Sequence, residues 1–182
     1  QVTFAQYTAL EELAATNPDA LTAAQRRVLA APLVPYNLDA WDGYANERSW
    51  LLDKAAELDL NLLVLSGDSH NAWASNLVST AAAAVGVELA CPSVSSRGLE
   101  ELLPGQEPGV VAAGALRHIP SLRFADTEHR GYLVVSLTQE KANARWHFID
   151  SAKAPTYQPL PELETSLSVR PGPAGRALFA EG

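Results

Sequence analysis

The sequence has no methionine and a single cysteine, Cys91. One thiol cannot form a disulfide within the chain, so packing and hydrogen bonding must hold the fold. It says little about redox compartment, since many exported proteins also lack disulfides. Long apolar runs are absent as well. The stretch Ser79–Val87 is short and alanine-rich, far from the roughly 18 residues of a membrane span. Basic runs are missing too: Lys and Arg number 13 against 21 Asp and Glu, for a net charge of -8. An acidic surface repels polyanions, which argues against nucleic acid as a main partner. The sequence shows no internal repeat and no signal-peptide pattern.

What is present suits one globular domain. The chain has 182 residues, 47% hydrophobic and 19% charged, enough to bury a core and too apolar for disorder. It opens Gln1-Val2-Thr3-Phe4, without an initiator or a polar lead-in, as if a strand were entered midway. We read it as part of a longer chain; a small protein after processing is the alternative.

Hydrophobic periodicity predicts a strand end at Val2–Tyr7 and a short helix at Thr8–Ala15. Thr22 and Gln25 suit a capping box opening a helix towards Ala31. Pro32 and Pro35 interrupt regular structure, and Tyr36–Tyr44 reads as a loop. Asn46–Leu58 is helical in pattern, with Leu51, Ala55 and Leu58 on one face. Asn61–Ser66 is a continuous apolar run, as a strand buried on both faces reads. Helix followed by buried strand is the rhythm of a layered α/β fold. Val85–Ala90 is a second strand, Arg97–Pro120 is mostly irregular, and Gly131–Leu137 with Ala142–Ile149 forms a hairpin. In the latter, Ala142, Ala144, Trp146 and Phe148 alternate with Asn143, Arg145 and His147. These four strands are expected in one sheet, with the Asn46–Leu58 helix packed on it. Residues 151–182, rich in proline and glycine, are expected to wrap the surface as an extended tail after a domain at 1–150.

The sharpest chemical feature is Gly67-Asp68-Ser69-His70, directly after the buried strand. Ligands bind beyond the carboxyl ends of strands in open sheets. Residues two apart there can aim a carboxylate and an imidazole at one metal region. Gly67 would allow the tight turn. Taken alone, Asp-x-His is common, and a hydrogen-bonded pair at a strand end is the better reading. His118, His129 and His147 read as solvated or hydrogen-bonded surface histidines. The four tryptophans, Trp41, Trp50, Trp73 and Trp146, read as core. Ser93, Ser95 and Ser96 have no His/Asp arrangement for a serine nucleophile.

A set of landmarks adds weight. Asn37-Leu38-Asp39-Ala40-Trp41-Asp42-Gly43-Tyr44, followed by Glu47-Arg48, resembles a loop of the alkaline phosphatase D family. Leu65-Ser66-Gly67-Asp68-Ser69-His70, with Trp73, is similar to that family's closing metal motif. Pro92-Ser93-Val94-Ser95-Ser96, Arg130-Gly131-Tyr132 and Ala144–Asp150 match further positions in the same order. The resemblance implies the C-terminal part of a calcineurin-like metallophosphoesterase sandwich, a mixed sheet flanked by helices. It implies a metal-dependent hydrolase of small phosphate esters acting by metal-activated hydroxide, in a periplasmic or secreted parent. Carried over, Asp68 would bind the calcium side and His70 the iron side of a di- or trinuclear centre, with Asn71 and Trp73 as supporting neighbours. Asp42 and Arg48, with Asp39, could line the substrate entrance, or serve as a turn and a helix-surface charge. The family's other ligands, a bridging aspartate, an aspartate–tyrosine pair and an asparagine, have no counterpart in this sequence. The 182 residues alone are therefore expected not to retain iron and calcium, to be inactive and to self-associate. The rival reading is a non-enzymatic binding module with an acidic surface.

Overall fold

Strands form here where branched and aromatic side chains can be shared between two facing sheets. The computed structural model describes residues 18–30, 39–102, 105, 107, 109–150 and 152–180. The expected Val2–Tyr7 strand, the Thr8–Ala15 helix and the first part of the Tyr36–Tyr44 loop lie outside these. The first described helix, α1 (Ala23–Ala30), has the reciprocal cap anticipated for it. The Thr22 N–H donates to Gln25 Oε1 at 2.8 Å, and the Gln25 N–H donates to Thr22 Oγ1 at 3.2 Å.

The first sheet contains β1 (Leu62–Ser66), β2 (Ala72–Val78), β3 (Ala84–Ala90) and β4 (Leu122–Asp126), in the order β1-β3-β2-β4. β1 runs parallel to β3, and the other neighbours are antiparallel. The chain must therefore leave β1, pass over the end of β3 and enter β2. That crossing spans two strand spacings, about 10 Å, and residues 67–71 make it. The second sheet is antiparallel throughout: β5 (Arg130–Leu137), β6 (Ala142–Ile149), β7 (Thr165–Val169) and β8 (Phe179–Ala180), in that order.

The two sheets close on one core. Ala72 and Ala74 of β2, with Val87 and Leu89 of β3, meet Ala144, Trp146 and Phe148 of β6 and Leu167 of β7. Small residues on one sheet make room for large rings on the other. The Trp146 indole N–H is satisfied by the Ala90 carbonyl at 3.0 Å, a hydrogen bond from sheet to sheet. Phe124 lies across Trp146 with ring centroids 5.0 Å apart. Burial of a large side chain of this kind contributes about 1.5–3 kcal/mol. The expected period-two pattern of β6 holds, with Ala144, Trp146 and Phe148 buried and Arg145 exposed.

Helical segments add to this. α2 (Ala45–Glu57) follows a 3-10 turn at Trp41–Tyr44; α3 is Leu99–Leu102 and α4 is Val110–His118. α2 is fixed to the β2–β3 hairpin by Asp53, whose carboxylate accepts from the Thr80 N–H at 2.8 Å and from its hydroxyl at 2.9 Å.

The structure corrects several expectations. The four anticipated strands divide between two sheets, because β6 uses its apolar face to cover β2 and β3 rather than to extend them. Arg97–Pro120 carries two helices rather than mainly irregular chain, the second at an alanine-rich stretch. Residues past 150 do not only wrap the surface. Thr165–Val169 pairs with β6, and Arg176 returns to the start of β1. Its guanidinium, 5% exposed, donates to Asp59 Oδ1 at 2.7 Å, to the Asp59 carbonyl at 2.8 Å and to Asn61 Oδ1 at 2.8 Å. Trp41 and Trp50 are not core: they are 51% and 64% exposed, since α2 buries only Ala55. Leu51 and Leu58, expected on its inner face, are 37% and 61% exposed.

A candidate metal-ligand turn at the end of the first strand

The crossing segment is where the local backbone is most unusual. The Ser69 N–H donates to the Gly67 carbonyl at 2.7 Å, across a single residue. That residue, Asp68, has φ 63°, so Gly67–Ser69 is the rare γ-turn with a left-handed centre. His70 follows with φ 61°. Left-handed backbone costs a non-glycine residue about 1–3 kcal/mol and tends to persist where function holds it. Asp and His are among the side chains that tolerate it best. The expected role of Gly67 is corrected here: the left-handed positions are Asp68 and His70, and nothing lies within 4 Å of a Cβ added at Gly67.

Asp68 is exposed, and its carboxylate accepts no hydrogen bond from any described residue. His70 is half-buried, and its Nδ1 lies 2.8 Å from the Arg97 carbonyl. A carbonyl only accepts, so Nδ1 carries the proton and Nε2 keeps its lone pair. Orientation of one ring nitrogen by a carbonyl is how a metal-binding histidine is usually set. One carboxylate and one imidazole nitrogen, both uncommitted and two residues apart beyond a strand, fit a site for a borderline or harder cation. They do not complete one: among the described residues no group of three or more His, Cys, Asp or Glu side chains could enclose a metal ion.

The surrounding contacts hold the turn rather than the ligand atoms. Trp73 donates from its indole to Ser69 Oγ at 3.1 Å, and Ser69 Oγ donates to the Asn71 carbonyl at 3.2 Å. Asn71, fully buried, accepts the Leu99 N–H at 3.2 Å through Oδ1. The partner of the His70 ring is thus the main chain of Arg97, which no side-chain pattern could announce. The ends of the parallel strands β1 and β3 are joined by the Cys91 N–H donating to the Ser66 carbonyl at 2.8 Å. This brings the Ser93–Ser96 turn alongside the site, where the Ser93 N–H lies 3.4 Å from the His70 carbonyl.

Asp42 and Arg48 are brought together as an exposed ion pair, and neither bonds to the Gly67–His70 turn. A cleft of about 210 Å³ opens beside the site, lined by Ser95, Glu100, Glu128, Arg130, Asp150 and Lys153 among others, and includes neither Asp68 nor His70. His118 ends α4. His147 lies 2.7 Å from a carboxylate oxygen of Glu164 and stacks on Tyr132. His129 Nδ1 lies 2.8 Å from Asp126 Oδ2. The hydrogen bond that the His129 ring donates to Asp126 raises the His129 pKa, against a smaller opposing effect of burial. Burial pushes Asp126 up, but hydrogen bonds from the His129 ring and from the backbone of His129 and Glu128 together leave it below the usual carboxylate value.

Known proteins share this layout. A family model described as PhoD-like phosphatase matches residues 1–146. Alkaline phosphatase D of Bacillus subtilis (strain 168) is 32% identical over 123 residues, which are 64% of this chain and 20% of that protein. A solved structure of PhoD superimposes over 81% of this chain and 27% of its own, with a TM-score of 0.59 at 22% identity. The chain therefore spans about a fifth of the curated relative and about a quarter of the solved one. At that identity the solved structure supports the sandwich fold alone.

Proposed function

The chain belongs to the PhoD-like phosphatase family, and from that premise we propose that it forms the C-terminal part of a metal-dependent phosphoesterase acting on small phosphate esters. The observation that carries this reading is the strained turn after β1. It presents an unshared Asp68 carboxylate and a His70 ring with Nδ1 occupied and Nε2 open. Asp68 and His70 would hold metal, which when bound supplies Lewis-acid polarisation of the phosphoryl group and activation of water.

The work of this chain is orientation. The Arg97 carbonyl fixes the tautomer of the neutral imidazole, which leaves the Nε2 lone pair open to a metal. Holding the His70 ring and the backbone of Asp68 in position before the ion arrives lowers the ordering cost of binding. Two donors do not make a tight site, since affinity depends on the full set. The 182 residues alone are accordingly proposed to be inactive. The remaining ligands, iron and calcium as the metals, and export of the parent rest on the family resemblance. The placing of Asp42 and Arg48 at the substrate entrance rests on their motif.

The test uses the full-length protein. Asp68→Ala and His70→Ala are each expected to lose most hydrolysis of p-nitrophenyl phosphate and bis(p-nitrophenyl) phosphate, together with bound metal measured by mass spectrometry. Arg48→Gln, in the same assay, is expected to raise KM at similar kcat. Near-normal turnover and metal content in either ligand variant sinks the assignment.

A further inference from the structure

Behind the turn lies a buried polar cluster that the ligand assignment leaves without a purpose. Arg130, 5% exposed, opens β5 and sends its guanidinium back under the crossing segment. Its Nη1 donates to the carbonyl of His70. Its Nη2 pairs with Glu100 Oε1 and lies 3.4 Å from the Glu128 carbonyl. Glu100 is itself anchored to the start of α3, where its Oε1 lies 3.4 Å from the Gly98 N–H.

The cluster is tightly packed on the side of Gly98. A Cβ added at Gly98 would stand 2.6 Å from Asn71 Nδ2 and 2.6 Å from Glu100 Oε2, as well as against the Arg130 guanidinium. Those same two atoms, Asn71 Nδ2 and Glu100 Oε2, are buried without a hydrogen-bond partner among the described residues. Polar groups buried at such cost add little to stability, and apolar side chains of equal volume often serve a fold as well. Their position suggests another use. The carbonyl of His70 belongs to the peptide plane between His70 and Asn71. Arg130 grips that plane from one side, while the Asn71 side chain anchors the next residue to the Leu99 N–H. A plane held at both ends cannot rotate to relax the left-handed conformation of His70.

We propose that Arg130, clamped by Glu100, is the positioning residue for His70: it fixes the His70–Asn71 peptide plane and thereby aims the imidazole at its metal. This rests on the reading of His70 as a ligand. It further assigns a role to the Arg130-Gly131 step at the start of β5, 60 residues after His70 in sequence.

The experiment titrates Co2+ alone into the metal-stripped full-length protein and follows the visible absorption of the bound ion. Arg130→Ala is expected to weaken Co2+ binding by about 10–100-fold, as loss of a ligand's orienting partner does elsewhere. Added guanidinium should restore affinity by refilling the cavity, and ammonium, which lacks the planar fork, should not. A side chain that only stabilised the fold would give no such selective rescue. Glu100→Gln keeps the shape of the clamp, removes its charge, and is expected to weaken binding in the same direction. It carries the test if Arg130→Ala does not fold. Loss of Co2+ binding in His70→Ala, with unchanged affinity in the folded Arg130→Ala protein or in Glu100→Gln, overturns the positioning role and leaves the ligand reading standing. Unchanged binding in His70→Ala overturns the ligand reading, and the positioning role with it.

Discussion

Replacing Asp68 by glycine separates what the turn costs the fold from what it does. Asp68 sits at φ 63° with an exposed side chain that accepts no hydrogen bond from a described residue. Its removal therefore sacrifices no hydrogen bond or ion pair to a described residue. A left-handed backbone costs an ordinary side chain about 1–2 kcal/mol. Glycine escapes that cost but loses more chain entropy on folding than alanine, about 0.5–1 kcal/mol. The difference leaves Asp68→Gly about 1 kcal/mol more stable than Asp68→Ala, with aspartate between them because it tolerates this region better than alanine. At His70, φ 61° gives the same Gly-over-Ala margin. Both His70 variants also lose the bond to the Arg97 carbonyl, about 0.5–1.5 kcal/mol. Urea titration of the metal-stripped full-length protein measures all four variants. Equal stability of glycine and alanine at both positions would refute the left-handed turn. If the order holds, Asp68→Gly should be a sturdier protein that has lost its metal, since strain kept at a functional position is stability forgone.

Two further outcomes follow from groups away from the turn. The His129 pKa is raised, so its contribution is complete below about pH 6.5 and disappears as pH rises through the elevated folded value. Asp126 is lowered, so its contribution is present above about pH 3.9 and is lost as pH falls through the depressed folded value. The pair is thus most stabilising between about pH 4 and 6.5, and His129→Gln should flatten the decline above that window; a denaturation profile parallel to wild type would count against it. In the core, Trp146 is fully buried and bonded to the Ala90 carbonyl. Trp146→Phe should cost about 1–3 kcal/mol through the orphaned carbonyl and Trp146→Ala about 3–5 kcal/mol, both measured by chemical denaturation. A loss under 1 kcal/mol in the alanine variant would mean that the sheets do not meet there.

The sequence made the core of the second sheet legible because β6 alternates cleanly between Trp146 and Phe148 inside and Arg145 outside. It made the place of β1 legible because four aliphatic residues run together before Gly67, but the run that reads as buried on both faces forms an edge strand with Leu65 exposed. β2 was invisible for a physical reason: its buried residues are Ala72 and Ala74, whose small side chains leave space for Trp146 and so carry almost no hydrophobic signal. β7 was hidden among prolines and serines, and only Leu167 and the half-buried Val169 mark its inner face. At the site, the pair Asp68 and His70 could be picked from the sequence by its place after a strand. The conformations of both, the acceptor on Arg97 and the reach of Arg130 could not, because each is a backbone or long-range relation. Trp41 and Trp50 misled for the opposite reason, being large apolar side chains in a 3-10 turn that buries nothing and on a helix that buries only Ala55.

The Arg176 clasp has a consequence for the order in which the molecule is made. Its bonds to Asp59 span 117 residues of chain, so the segment entering β1 emerges long before its partner exists. At roughly 5–20 residues per second of synthesis, 117 residues take about 6–23 s. Throughout that interval Asp59 and Asn61, which lead into the strand that carries the candidate site, wait without the guanidinium that will hold them. The polypeptide can assemble β5 and β6 from neighbours as they appear, but it can anchor the root of β1 only once Arg176 has been made. A ribosome stalled between β6 and Arg176 would therefore hold a chain with the second sheet begun and the strand below the candidate site still loose at its base.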